Sequence, residues 1–456
     1  AKVTGVHQLT LDSFVGVAYY SDVHPVSTMV TGDEKLNQLL SNIRWGQKSN
    51  FVDVPTDCPQ RDERMGWTGD TQVFAATACY LTDACAFYEK YLYDMQKEQN
   101  KRGGCVPDTI PAFYMRGGCC VWGDAATILP WTLYLFYGDV NILRTALPSM
   151  RAWVDYIAAV DGDTHHWRKV FHFGDWLALD HPSGRADEVR GGTDEGFIAD
   201  AYYYNSARLV AKAAAVLGDA ATEAAYQKRA ERILSDLQQE YFTPTGRCAV
   251  DTQTAQILTL YFGLTNQPEK AHQELMRLLH LRGDKLSTGF VGTPLLCRVL
   301  SQVGEDKMAY HLLHNEEYPG WLYEVNLGAT TIWERWNSLS PDGSVSSTGM
   351  NSFNHYAYGA IGEWMWRTMA GINPCEEQAG FKRVVLRPVS DAAVKHVTAA
   401  YHSPAGCYRV SWRMEEAGIC RFHIEIPFDC TADLMLPGQK PMELECGKYD
   451  FACAVG

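Results

Sequence analysis

Nowhere in the 456 residues is there an apolar run of the roughly 20 residues that a membrane-spanning helix needs. Nor is there a surplus of positive charge. Forty Lys and Arg stand against 54 Asp and Glu, a net charge of -14, which argues against nucleic acid or an anionic membrane surface as partner. No segment repeats at a fixed period, so a solenoid is not expected. HExxH and EF-hand patterns are missing, and the 14 cysteines form neither a CxxC pair nor a zinc-like spacing with His. No metal site is expected from them. A chain this rich in apolar residues does not need a disulfide framework, so reduced and mostly buried thiols in a cytoplasmic protein are expected, the adjacent Cys119 and Cys120 included. The N-terminal AKVTGVHQLT lacks an initiator Met and the features of a signal peptide, and it reads as the start of a piece of a longer chain.

What is present is a folded-protein composition, 46% hydrophobic and 21% charged, over a length that suggests one large domain with a smaller one, or two to three domains. Residues 1–30 alternate weakly (Val15, Val17, Tyr19) and carry Pro25, as a short β segment and linker would. From residue 31 helical signals begin with GDEKLNQLLSNIRW and recur over 71–100, 124–137, 142–160, 198–217, 221–241, 252–262, 267–280, 293–303, 308–316 and 352–369. Loops rich in aromatic, Gly and Asp residues separate them. Helix pairs in a ring or double-layered barrel over 31–372 fit this pattern, although periodicity does not show that the ring closes. Residues 373–456 switch to short alternating runs such as CYRVSWRME and ICRFHIEI, the signature of an antiparallel β-sandwich.

The densest chemistry lies in 50–70, NFVDVPTDCPQRDERMGWTGD. Pro55, Pro59, Gly66 and Gly69 mark it as a loop, and Asp57, Arg61, Glu63, Trp67 and Asp70 crowd into it. A solvated loop whose charges pair with one another is an equally good reading of composition alone. Far along the chain, Glu334 sits between Trp333 and Arg335 in TTIWERWNS. Trp122 and Trp176 lie on other loops. Tryptophans beside acids suit a sugar, whose apolar face stacks on a ring while its hydroxyls meet carboxylates; each Trp is as readily core. Hydrolysis of a glycosidic bond needs one protonated and one ionised carboxyl, and Asp57 and Asp70 near Glu63 would raise its pKa by like-charge repulsion.

The run DVPTDCPQRDERMGWTGD, followed in order by FGDWLALD, TGFVGTPLL, TTIWERWNS and SFNHYAYGAIGEWMWR, resembles the catalytic region of bacterial α-L-rhamnosidases of glycoside hydrolase family seventy-eight. The resemblance spans roughly residues 20–456. It implies a mainly α fold, an (α/α)6 barrel followed by a β-sandwich, and inverting hydrolysis of terminal α-L-rhamnosides without metal or organic cofactor. It also implies upstream β-sandwich domains, which these residues do not include. By motif position it implies Glu63 as general acid and Glu334 as general base. Asp57 and Asp70 resemble acids that hold rhamnose hydroxyls, Arg61 and His355 further hydroxyl contacts, and Trp67, Trp122, Trp176 and Trp333 walls of the subsite. For His355 a structural histidine is an equal reading, and Asp175 and Asp180 read more simply as turn or cap residues. The partner so implied is a rhamnose-containing glycoside, with the aglycone chosen by the loops 108–123 and 181–196 and a homodimer left open. An (α/α)-barrel phosphorylase or epimerase and a non-catalytic sugar-binding module are the rival readings.

Overall fold

The computed structural model describes residues 3–113, 117–162, 164–185, 188–346 and 350–455. Parts of the two loops expected to choose the aglycone, 114–116 and 186–187, lie outside the described residues. Strand β1 (Ser27–Thr31) leads into α1 (Glu34–Asn50), a short hairpin of β2 (Phe51–Val52) and β3 (Val54–Pro55), and then α2 (Thr68–Leu81), α3 (Cys85–Asn100), α4 (Ala125–Tyr137) and α5 (Val140–Asp161). Next come α6 (Glu195–Leu217), α7 (Ala220–Tyr241), α8 (Gln253–Phe262), α9 (Pro268–Leu281), α10 (Thr293–Gln302), α11 (Asp306–His314), α12 (Trp321–Asn326) and α13 (Ile361–Trp364). Strands β4 (Ile372–Pro374), β5 (Arg383–Leu386), β6 (His396–Ser403), β7 (Gly406–Met414), β8 (Ile419–Ile426), β9 (Thr431–Leu434), β10 (Met442–Leu444) and β11 (Gly447–Ala454) complete the order. Among the described residues no helix is long and apolar enough to cross a membrane.

Burial sorts the helices into two layers. In α8 every residue except Tyr261 is buried, and all of α13 is buried, so these helices have no solvent face. In α9 only Ala271, Leu275 and Leu279 are buried, one stripe at helical spacing. Thus α2, α4, α6, α8, α10 and α13 form the inner layer of an (α/α)6 barrel, with amphipathic helices outside it. Side-chain caps start several of them, as Asp33 does by accepting from the Lys35 amide at 2.8 Å and Asp194 from the Phe197 amide at 2.8 Å. Left-handed Gly138, Gly162, Gly218 and Gly263 end α4, α5, α6 and α8, where a Cβ would be strained.

The connections are unequal. Those leaving the inner helices are short, as between α2 and α3 or α6 and α7, whereas those entering them are long: 51–67, 101–124, 162–194, 242–252, 282–292 and 315–360. The long loops therefore all gather at the end of the barrel where the inner helices begin. A site built from several of them has a single address.

Three expectations change. The single helical signal over 71–100 is two helices, broken where Thr82 takes an extended conformation. The expected helix over 352–369 is a 3-10 turn at Ala357–Ala360, then α13, then a π-helical turn at Met365–Met369, because fully buried bulky residues pack here on both sides. Residues 15–20 form no strand and lie exposed; the N-terminal β segment is instead β1. Its alternating burial (Ser27, Met29 and Thr31 inward) makes it an edge strand of the C-terminal sheet, antiparallel to β6.

That five-stranded sheet, β1-β6-β7-β8-β11, faces a four-stranded one, β10-β9-β5-β4. All pairs are antiparallel except β5 with β9, which a crossover through β6, β7 and β8 makes parallel. The sandwich is bound to the barrel by Trp412 Nε1, which donates to the Met369 carbonyl at 2.7 Å, and by the Tyr80 hydroxyl, which donates to the Ile372 carbonyl at 2.7 Å.

Candidate functional site

The loop after β3 is closed at its neck. The Asp57 amide donates to the Met65 carbonyl at 2.9 Å, and the Met65 amide donates back to Asp57 Oδ1 at 2.9 Å. Between them the Arg61 and Glu63 side chains turn inward, while the Asp62 and Arg64 side chains lie in solvent. A second loop, 330–356, lies against the first. Gln60 Nε2 donates to Ser352 Oγ at 2.6 Å, and the Ser352 carbonyl accepts the Glu334 amide at 2.9 Å. That stitch fixes Glu334 opposite Glu63.

Arg61 joins the two. Its Nη1 donates to Glu334 Oε2 at 2.5 Å, and its Nη2 reaches Glu63 Oε2 at 2.8 Å, Asp57 Oδ2 at 3.1 Å and Glu334 Oε1 at 3.4 Å. The separation of about 6.5 to 9.5 Å expected of an inverting pair is not met: Glu63 Oε2 and Glu334 Oε1 share one nitrogen at 2.8 and 3.4 Å and so stand closer than that range. The guanidinium occupies the space between them. Glu334 keeps only 3% of its side chain exposed and Glu63 25%, so the pair has one sheltered and one accessible member.

Glu63 also accepts from Trp67 Nε1 at 3.0 Å. Burial is the largest influence on its pKa and raises it; Asp57 raises it further, Arg61 opposes, and Glu334 and Asp70 add to the rise. Like-charge repulsion, expected as the cause, is thus second to desolvation. For Arg61 burial disfavours the charge, but Glu334 and Glu63 outweigh it and hold the guanidinium above its usual range.

Asp70 lies in the first turn of α2, with Oδ1 at 3.1 Å from His355 Nε2. His355 Nδ1 accepts the Ala357 amide at 3.3 Å, so both ring nitrogens have protein partners. Burial raises Asp70 and His355 opposes this; burial lowers His355, but Asp70, Glu334 and Asp57 together raise it. The pair is buried, and its electrostatic coupling to Glu334 and Asp57 puts it beside the carboxylates.

The tryptophans divide. Phe173, which the sequence reading passed over, is the hub of three of them, with ring centroids 5.8 Å from Trp67, 4.5 Å from Trp122 and 5.6 Å from Trp176. Trp122 lies over Gly69, where a Cβ would come within 2.6 Å of the indole, so only glycine fits. Trp333 is elsewhere: its ring packs 5.5 Å from Phe353 in a small cluster with Tyr323 and Ala329, although Glu334 is its chain neighbour. Its amide donates to Glu324 Oε2 at 3.2 Å, another group missed in sequence. Glu324 is buried, which raises its pKa well above the usual range, and an acid in the apolar run WLYEVN was the signal for it.

Asp175 is structural. Its carboxylate accepts from Thr254 Oγ1 at 2.5 Å and from the amides of Gly289, Val291 and Gly292 at 2.9, 2.7 and 3.3 Å. Asp175→Ala is expected to lower unfolding stability by at least about 3 kcal/mol, because several buried donors lose their acceptor at once; a urea titration reads it. Asp180 accepts the Gly192 amide at 2.7 Å, the turn role expected.

Among the described residues two groups place metal-capable atoms within 4.8 Å of one another: Asp57, Cys58 and Glu63, and Cys119, Cys120 and His172. In the first, Arg61 already binds both carboxylates, and the Cys58 thiol is pushed up to about 12 by burial, Asp57 adding to this. In the second, His172 Nδ1 accepts the Cys120 amide at 3.0 Å and Nε2 pairs with the Trp167 carbonyl at 2.7 Å, while burial drives both thiols up. Both donor sets are filled by protein partners and protons.

Residues 24–369 match the bacterial alpha-L-rhamnosidase 6 hairpin glycosidase domain, and residues 371–449 the bacterial alpha-L-rhamnosidase C-terminal domain. The chain belongs to the bacterial α-L-rhamnosidase family. An α-L-rhamnosidase of Formosa agariphila is 38% identical over 444 residues, covering 96% of this chain and 46% of that protein. Among solved structures of the family, a Streptomyces avermitilis α-L-rhamnosidase complexed with L-rhamnose superposes with a TM-score of 0.88 at 37% identity, covering 95% of this chain and 43% of that one. The Aspergillus terreus α-L-rhamnosidase gives 0.90 at 31% identity, covering 95% and 50%. The chain spans about half the length of these family members or less.

Proposed function

We propose that the chain is the catalytic portion of an inverting α-L-rhamnosidase that releases terminal α-L-rhamnose, with Glu63 as general acid and Glu334 as general base. The observation that carries the reading is the pair of carboxylates, far apart in sequence, held by one guanidinium at the end of the barrel where the long loops gather. Membership of the family supplies the substrate class. Burial and the neighbouring Asp57 keep a proton on Glu63 to higher pH, as a donor to the leaving oxygen requires. Glu334, more sheltered and bound to Arg61, deprotonates a water that attacks the anomeric carbon from the opposite face.

Arg61 has two parts in this scheme. Without substrate its single positive charge hydrogen-bonds all three of Asp57, Glu63 and Glu334 and offsets part of their mutual repulsion. With substrate, insertion of the sugar between Glu63 and Glu334 opens the pair to the spacing that one water needs, and Arg61 stays with Glu334 and Asp57. Trp67, Trp122 and Trp176, braced on Phe173, form an apolar wall suited to the C6 methyl of rhamnose.

Incubation with p-nitrophenyl α-L-rhamnoside tests the assignment. Free rhamnose should appear at a rate independent of added phosphate, and p-nitrophenyl α-L-arabinoside should turn over far more slowly. Phosphate-dependent release would indicate a phosphorylase, and binding without release a sugar-binding module.

A further inference from the structure

The interior of the barrel holds a cavity of about 420 Å³, to which all six inner helices contribute. It runs from Gln72 near the start of α2 down to Glu376, just past β4. At about 1.5 Å rise per residue, Arg208 in α6 lies about 20 Å along the helix from Glu195, so the lower part of this cavity lies deep below the end of the barrel where the long loops gather.

Its charges do not balance. Glu363 is buried in the wall and pairs with Arg298 at 2.9 Å and with Arg367 at 2.6 Å, two cations for one anion. Lys212 pairs with Glu376 across the mouth. Among the described residues Arg208 has no carboxylate partner: its Nη2 donates to Asn205 Oδ1 at 2.9 Å, and its Nε is buried without a hydrogen bond. The wall thus carries a surplus of two positive charges in a chain of net charge -14. A network serving only to hold the helices together would leave neither the surplus nor the orphaned donor. Aromatic faces accompany the cations, with Trp131 5.6 Å from Lys212 Nζ and Tyr261 5.1 Å from the Arg298 guanidinium. The volume suits a monosaccharide.

We propose that the lower part of this cavity binds a monosaccharide-sized carboxylate of the hexuronate class, its carboxylate on Arg208 and the Arg298–Arg367 pair and its apolar face against Trp131. The site is separate from the rhamnoside chemistry and does not depend on it.

Calorimetric titration of the chain with sodium D-galacturonate tests this, with L-rhamnose, sodium phosphate and sodium chloride at matched ionic strength as comparisons. Binding of one galacturonate at millimolar concentration or below is expected, unchanged in Glu63→Gln. Arg208→Gln should weaken it about tenfold or more, the loss of one charge-assisted contact. Lys212→Gln, at the exposed mouth, should weaken it too and guards against a folding defect in the first variant. No heat from galacturonate, equal affinity in both variants, or phosphate binding as tightly as galacturonate would each overturn the proposal. Since no arm measures hydrolysis, this outcome and that of the rhamnosidase reading are independent.

Discussion

Glu63→Gln is expected to slow hydrolysis of an unactivated rhamnoside, such as a rhamnosyl disaccharide, by about 100- to 10000-fold. The same substitution should cost much less on p-nitrophenyl α-L-rhamnoside, whose leaving group departs without a proton. The contrast is the diagnostic part, since a merely misfolded site would lose both substrates alike. The pH profile gives the same test a second readout. A general acid works below its pKa, so kcat/KM should fall as pH rises through the pKa of Glu63, which burial and then Asp57 hold above the ordinary carboxylate range. In Glu63→Gln that descending limb should disappear.

Glu334→Gln should lose a similar factor, but on both substrates, because a water must be deprotonated whatever the leaving group. Azide needs no base. Added to Glu334→Gln with the aryl rhamnoside, it should restore turnover and yield the β-glycosyl azide, whereas it should leave the wild-type rate unchanged. An α-azide, or no rescue in a variant that still binds rhamnose, would remove Glu334 from the role of base. Arg61 complicates the reading, since its Nη1 is bound to Glu334 Oε2. Glutamine keeps the oxygen acceptor, so the loss reports on basicity rather than on a stranded guanidinium.

Much of this architecture was legible in the residues. Helical spacing located most of the barrel helices to within a few positions, because each outer helix has one buried stripe and each inner helix begins at a cap or after a turn signal. The break at Thr82 was hidden because apolar residues resume at Ala84, only two positions beyond it. The π turn at Met365–Met369 was hidden because four of its five residues are buried and Arg367 and Thr368 alone make no periodic polar face. Strand β1 was misread for a different cause: its partner is β6, hundreds of residues away, and only that pairing gives its alternation meaning.

At the site, the residue types in RDER and IWERW pointed to carboxylate chemistry, and their meeting is visible only in three dimensions. Arg61 was expected beside the sugar. Its role as a bridge follows from a bent loop, closed at the neck between Asp57 and Met65, that brings Arg61 and Glu63 to the same side. Trp333 shows the limit of adjacency: one position from Glu334, its ring packs into a separate cluster with Tyr323 and Ala329. Phe173 gave a weak signal, one aromatic among several in VFHFGDW, and its place became clear only when three loops met around it.

The most direct test of the central claim is the stereochemistry of the first turnover. Proton NMR should follow p-nitrophenyl α-L-rhamnoside cleaved by the wild-type chain, with spectra taken before mutarotation mixes the anomers. If Glu63 and Glu334 act as acid and base on either side of one water, β-L-rhamnose appears first and the α anomer grows in only at the rate of mutarotation. If α-L-rhamnose appears first, a covalent intermediate has formed and the roles given to the two glutamates are wrong.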